Sequence, residues 1–241
     1  AGMLEVTSDG TTIALNGHAR IDGVDANINL TDQMFGGSGA TQTVTTLLGA
    51  EERQKMGFSL EDLVSGDLPV EIVSGRDEQG RETNDVTLDL TPVRMSYPAI
   101  GLDKPPGAAA TAKFRMVRDK TRILLKDLTV TGSGLDIAGN VTLDPGGEIV
   151  SAQLPRFSLR RADDASVTMK RGRANALNIE IKAESLDVRS VLSAAFANAD
   201  GIANSGSAAP LNIVASIGKA IGHDEQTMSD VKLRLTRSGG R

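Results

Sequence analysis

Through most of the chain, apolar and polar residues alternate with a period of two, the signature of strands with one buried face. The pattern is clearest in residues 113–144, KFRMVRDKTRILLKDLTVTGSGLDIAGNVTLD. Phe114 and Met116 alternate with Arg115 and Val117, and Asp119-Lys120 forms a polar tip before Ile123 and Leu125. With Asp119-Lys120 as a two-residue turn, Arg118 faces Thr121, Met116 faces Ile123 and Phe114 faces Leu125, which brings the large apolar residues together on one face. Ile123 and Leu125 are odd-numbered, whereas Leu128 and Val130 are even. Lys126-Asp127 therefore marks a phase switch, expected to bend the sheet or turn the chain so that the next apolar run keeps the same side.

The rest of the chain largely repeats this unit. Asp9-Gly10 predicts a tight turn that sets Val6 opposite Ile13 and Leu4 opposite Leu15. A second phase change follows at Asp22-Gly23. A hairpin with its tip at Glu78-Gln79-Gly80 pairs Ile72 with Val86, Val70 with Leu88 and Leu68 with Leu90. Residues 91–107 read as an irregular connection, because Pro92, Pro98, Pro105 and Pro106 cannot donate ladder hydrogen bonds. Another hairpin, centred on Asp163, pairs Leu159 with Val167 and Phe157 with Met169. Leu211, Ile213, Ala215 and Ile217 start a strand whose partner holds Val231, Leu233 and Leu235. Helical periodicity is confined to short segments near 47–56, 59–65 and 186–198; in the last, Val188, Val191, Leu192, Ala195 and Phe196 recur at helical spacing. GGSGA (36–40) and residues 200–209 read as small-residue linkers. The expectation is a mainly β chain of about a dozen strands and two or three short helices. Residues 1–199 form the repeat region, and 200–241 a linker and the start of the next β repeat. The single apolar face of such a meander has to be covered by a second sheet, by closure into a barrel or by an apolar ligand.

Composition narrows the function. Aromatics are 2% of 241 residues, too few for the stacking platforms that bind single-stranded nucleic acid. The net charge of −5 argues against a general phosphate-binding field, so no nucleic-acid partner is expected. The absence of cysteine excludes disulfides, thiolate metal sites and a Cys nucleophile. No stretch approaches 18 consecutive apolar residues, and the first residues, AGMLEVTSDG, have neither the basic nor the apolar region of a signal peptide. Both ends read as cut from a longer chain.

Catalytic patterns are missing. His18 and His223 lie in unrelated segments, and no HExxH motif, EF-hand, P-loop or GxSxG elbow occurs. Asp163-Asp164 falls at a hairpin tip, where such residues are ordinary turn formers. No catalytic residue, metal or cofactor is expected. Two groups remain. Arg156, Arg160, Arg161, Lys170, Arg171 and Arg173 come from two strands expected to pair and to gather near one end of their hairpin. They are candidates for a phosphate headgroup or an acidic partner, with a solvated face as the alternative. Leu88, Leu90, Phe114, Met116, Ile123, Leu125, Leu128, Val130, Ile137, Val141 and Leu143 can share one surface, as a sandwich core or as a trough for acyl chains.

Several stretches in order resemble the AsmA-like superfamily, in particular its YhdP-type branch of large, inner-membrane-anchored bacterial proteins. They are GHARIDGVDANINL (17–30), GFSLEDLVSGDLPVEI (57–72), NDVTLDLTPVRMSYPAIGLDKPPG (84–107), LKDLTVTGSGLDIAGNVTLD (125–144) and LNIEIKAESLDVRSVL (177–192). Within them Asp89-Leu90, Tyr97-Pro98, Lys104-Pro105-Pro106-Gly107 and Leu186, Asp187, Arg189 and Leu192 are similar to the branch's recurring positions. The resemblance implies an elongated, strongly curved antiparallel sheet built from consecutive hairpins and folded like a taco around an apolar groove. It also implies a non-enzymatic role. The groove would carry phospholipid acyl chains across the periplasm between inner and outer membranes, in an envelope protein whose membrane anchor lies outside this segment. The eleven apolar residues would then line the groove. The competing reading is a structural or adhesive β-module, a sandwich or solenoid with a sealed core.

Overall fold

The computed structural model describes residues 3–21, 23–33, 40–55, 63–76, 82–190, 210–222 and 226–237. Strands take up 71% of them, so the protein is mainly β. In chain order the elements are β1 (Met3–Ser8), β2 (Thr12–Ile21), β3 (Val24–Gln33), β4 (Thr41–Leu48), α1 (Ala50–Lys55), β5 (Val64–Ser65), β6 (Leu68–Arg76), β7 (Glu82–Asp89) and β8 (Arg94–Tyr97). A 3₁₀ turn (Pro98–Ile100) and β9 (Leu102–Lys104) follow. Then come β10 (Thr111–Arg118), β11 (Ile123–Gly132), β12 (Leu135–Leu143), β13 (Ile149–Ser158) and β14 (Asp164–Arg171). A second 3₁₀ turn (Arg173–Asn175) precedes β15 (Leu177–Asp187), β16 (Leu211–Ile221) and β17 (Thr227–Arg237). Fourteen strands form one open sheet, ordered β1-β2-β3-β4-β6-β7-β10 and then consecutively to β17; β5, β8 and β9 form a small sheet of their own. Every pairing in the large sheet is antiparallel except β15 with β16, which run parallel.

Two tight turns are longer than the sequence predicts, for one shared reason. The Asp9 carboxylate accepts hydrogen bonds from the backbone N–H groups of Thr11 (2.9 Å) and Thr12 (2.8 Å). Asp119 does the same for Thr121 (2.7 Å) and Arg122 (2.9 Å). Each aspartate folds the chain around its own side chain and widens the loop. Val6 therefore pairs with Leu15, and Leu4 with Gly17. Met116 pairs with Leu125, and Arg118 with Ile123. A slip of two residues keeps every side chain on its expected face, because the pleat has period two. The hairpin around Asp163 also differs: Phe157 pairs with Ala165 and Leu154 with Val167, and Leu159 lies in the loop. The pairings of Ile72 with Val86, Val70 with Leu88, and β16 with β17 match the sequence expectation.

The phase switch at Lys126-Asp127 is a bulge. The β11–β12 register shifts between Leu125 and Leu128, Asp127 takes φ 53°, and its N–H donates to Asn140 Oδ1 at 3.1 Å. Leu125 then pairs with Val141 and Leu128 with Gly139, so both apolar runs stay on one side. Gly139 has φ 151°, and a Cβ there would collide with the Gln153 carbonyl on β13, so only glycine fits.

The helical expectations are trimmed. β4 runs to Leu48 and α1 starts at Ala50, because pairing with β6 extends to Leu68 and holds the strand. In the 59–65 segment, Val64 and Ser65 are strand β5, and residues 56–62 lie outside the described residues. In the 186–198 segment, Leu186 and Asp187 still pair with β16, and helix begins at Arg189 and Ser190. The remainder of that helix, the 36–39 connector, the 200–209 linker and His223 lie outside the described residues. The 91–107 connection is not irregular throughout. It forms β8 and β9, and Pro92, Pro98 and Pro105 flank these strands rather than interrupt them.

Candidate functional site

Residues that pair across strands point to the same face, so the register can be followed across the sheet. One row runs Ala19, Ala26, Thr46, Val70, Leu88, Ala112, Val130, Ile137, Phe157, Ala165, Ala183, Ile217, Val231. Another row on the same face links Met116 through Leu125, Val141, Ala152, Met169, Ile179 and Ile213 to Leu235. The opposite face is polar, as in the row Asn29, Thr43, Val73, Asp85, Arg115, Lys126. The candidate site is therefore a face rather than a point.

The register puts ten of the eleven apolar candidates on this face within strands, and Leu90 continues the Val86–Leu88 alternation just past β7. Their burial separates them. Leu90, Ile123 and Leu143 are buried, whereas Leu88, Phe114, Met116, Leu125, Leu128, Val130, Ile137 and Val141 are only half-buried. Leu90 belongs to a cluster with Leu48, Leu68, Val64 and Val93, in which Val93 is fully buried. This is where the small sheet packs over one end of the apolar face.

Two buried cations hold that covering in place. Arg53 donates to the carbonyls of Leu48 (2.8 Å), Gly66 (2.7 Å) and Val64 (3.2 Å). Lys104 Nζ donates to the carbonyls of Val93 (2.8 Å) and Pro105 (3.0 Å). Burial pushes the Lys104 pKa down, opposed by the charge of Asp89. The sequence reading left both outside the site. Lys104 was visible only as part of a resemblance, and Arg53 sat in a helical stretch without an apolar stripe.

The far side of the covering is fastened by a charged latch. Arg160 donates to the Gly101 carbonyl at 3.0 Å and to Ser190 Oγ at 3.3 Å, and lies 3.2 Å from Asp187 Oδ2. Arg189 forms a bidentate pair with Asp187, Nε donating to Oδ1 at 2.9 Å and Nη2 to Oδ2. Asp187 is held below the usual carboxylate range, first by Arg189 and then, despite its burial, by Arg160. Asp163, which the sequence marks as a turn former, accepts from the N–H groups of Arg160 (2.9 Å) and Asp187 (3.0 Å) and so orients both sides of the latch.

The six basic candidates do not gather. Arg160 and Arg161 sit in the β13–β14 turn, with Arg156 on the strand leading into it. Lys170 pairs with Ser151 and Arg171 with Leu177, at the opposite end of the hairpin, with Arg173 just beyond. The seven residues that separate the two ends of β14 span about 23 Å. Three of the cations have protein partners: Arg160 in the latch, Arg171 at the Ile149 carbonyl (2.9 Å), Glu148 (2.9 Å) and Asn175 (2.7 Å), and Arg156 in an exposed ion pair with Asp136 (3.5 Å).

Two shallow hollows stand out among the described residues. One of about 520 Å³ is lined mainly by Asn16, His18, Asn27, Asn29, Thr43 and Thr45 of the polar face, with Met3 and Glu5 of β1. His18 there lies 3.3 Å from Asn27 and 3.7 Å from Asp25. Among the described residues no three His, Asp or Glu side chains converge as metal ligands, and no helix is long and apolar enough to cross a membrane. No family model, curated protein or solved structure matches the chain.

Proposed function

We propose that this chain is a non-enzymatic lipid-carrying segment of a cell-envelope protein, with its apolar face curved into a groove that holds phospholipid acyl chains. The observation that carries the reading is the apolar row from Met116 on β10 to Leu235 on β17, whose larger side chains stay half-buried, whereas Ala152 on it and Ala165, Val167, Ala215 and Ile217 beside it are buried. Seven strand spacings of about 4.8 Å make that stretch roughly 34 Å, longer than one leaflet's share of a hydrocarbon core about 30 Å thick. Chains laid on it gain about 0.8 kcal/mol per buried methylene, while a headgroup stays in water. Transfer then needs a continuous apolar path and no bond chemistry. The resemblance to AsmA-like proteins adds the setting: the periplasm, phospholipid as cargo, and a membrane anchor elsewhere in the full protein.

A photocrosslinking residue at Leu125, exposed to phospholipid vesicles, tests the reading. The expected result is lipid adducts at Leu125, and their loss at the neighbouring position 141 when Leu125→Asp places a charge in the path. Absence of adducts at both positions, or adducts indifferent to the charge, would sink it.

A further inference from the structure

The apolar row through Met116 is not apolar along its whole length. On β4, β6 and β7 the paired positions are Gln42, Ser74 and Asn84, and the row turns apolar only at Met116 and Leu125. Ser74 Oγ donates to Asn84 Oδ1 at 2.7 Å, and all three side chains are half-buried on the same face as Ile72 and Val86. Two residues beyond Met116, on the same face, stands Arg118, paired with buried Ile123. The β10–β11 loop adds Lys120 and Arg122. The carboxylates nearest them by register are Asp119, whose Oδ1 is engaged by Thr121 and Arg122 N–H groups and by the Thr121 hydroxyl at 2.8 Å, Glu82 on β7, which lies 3.9 Å from Arg76, and Asp144 after β12, whose Oδ1 is engaged by the N–H groups of its own turn. No ion pair within 4 Å joins Arg118 or Lys120 to a described residue, whereas the Asp119 carboxyl is held below its usual range by its Thr121 hydrogen bonds first and also by the charge of Arg122.

We infer that the boundary between β7 and β10 is a headgroup site for a phosphate-bearing lipid. The inference rests on the lipid-carrying reading of the same face. Arg118 takes the phosphate, as a guanidinium is suited to do. The neutral band of Asn84, Ser74 and Gln42 receives the rest of the headgroup, and the acyl chains run the other way along Met116, Leu125 and Val141. Charge complementarity selects this occupant: an uncharged lipid gains nothing from a cationic margin, and a free phosphate has no use for the apolar row beside it.

The experiment places a photocrosslinker at Val141, clear of the boundary, and compares vesicles doped with phosphatidylglycerol or with diacylglycerol of the same chains. Arg118→Gln is expected to lower the phosphatidylglycerol adduct about tenfold, the scale of one charge-assisted hydrogen bond, and to leave the diacylglycerol adduct unchanged. Lys113→Gln, the same charge change on the polar face, is expected to alter neither. An Arg118→Gln chain that captures phosphatidylglycerol like the parent, or loses both lipids alike, overturns the headgroup site. A parent chain that captures neither lipid overturns the lipid-carrying reading itself, and the site with it. Inorganic phosphate suppressing the adduct at millimolar concentration would also overturn it, since the site would then take phosphate without the chains.

Discussion

The two ends of the apolar face share a pattern and differ in what covers them. Around Leu48, Leu68 and Leu90 the small sheet lies over the strands, and the cluster closes to full burial at Val93. Met116 still packs against the edge of that cluster. From Leu125 through Val141, Met169 and Ile179 the same alternation and the same continuous register leave side chains half-buried, until a smaller buried cluster forms around Ala215, Ile217 and Val188. The strands alone do not distinguish the two regions. The difference comes from two insertions, one between β4 and β6 that supplies α1 and β5 and one between β7 and β10 that supplies β8 and β9 and reaches the β13–β14 turn through Arg160 and Gly101. A one-sided sheet becomes a core where its own chain folds back over it and remains a surface where the chain does not.

The largest expected effect comes from truncating equivalent residues in the two regions. Leu90→Ala is expected to cost about 3 kcal/mol, the usual cost of a core cavity, and Leu125→Ala about 1 kcal/mol, since its half-buried site loses less contact. Urea unfolding of the two variants gives the comparison. Equal losses would mean that the Leu125 region is sealed in solution, and would break the distinction.

A smaller effect tests what holds the covering down. Lys104→Met keeps the stem but leaves the Val93 and Pro105 carbonyls without their donor, at an expected cost of about 2 kcal/mol. Lys113→Met, exposed on the polar face, is expected to change stability by less than about 0.5 kcal/mol. Matching losses in thermal melts would show that Lys104 does not anchor the small sheet.

The smallest effect lies in the latch and depends on pH. The folded-state pKa of Asp187 is depressed, so its contribution is present above the unfolded carboxylate value of about 3.9 and is lost as pH falls through the lower folded value. Asp187→Asn is expected to cost about 1–2 kcal/mol at pH 7, and its difference from the parent should shrink toward pH 2. Melting curves at both pH values check this. A difference that stays constant with pH would remove the carboxylate from the latch.

Which face the inner strands of the large sheet bury was legible in the sequence, although β1 at its edge is exposed along its whole length. Ile72 opposite Val86 and Leu88 opposite Val70 follow from alternation, and even the misread turns at Asp9 and Asp119 left Leu15 and Leu125 on the right side. The Lys126-Asp127 bulge was legible as a change from odd to even. The small sheet was not: strands of two to four residues such as β5 and β9 carry no measurable period, and prolines at their borders disguise them. The scatter of the basic residues was equally hidden, because a five-residue loop around Asp163 sets which end of the hairpin each one reaches.

By itself, then, the sequence determined a mainly β chain with one apolar face, because period-two alternation is a local property that survives slips of register by two. Tertiary structure alone decided how much of that face stays open. That depends on where the insertions after β4 and β7 fold back and on the partners found by Arg53, Lys104 and Arg160, contacts made between residues far apart in the chain that leave no periodic trace in it.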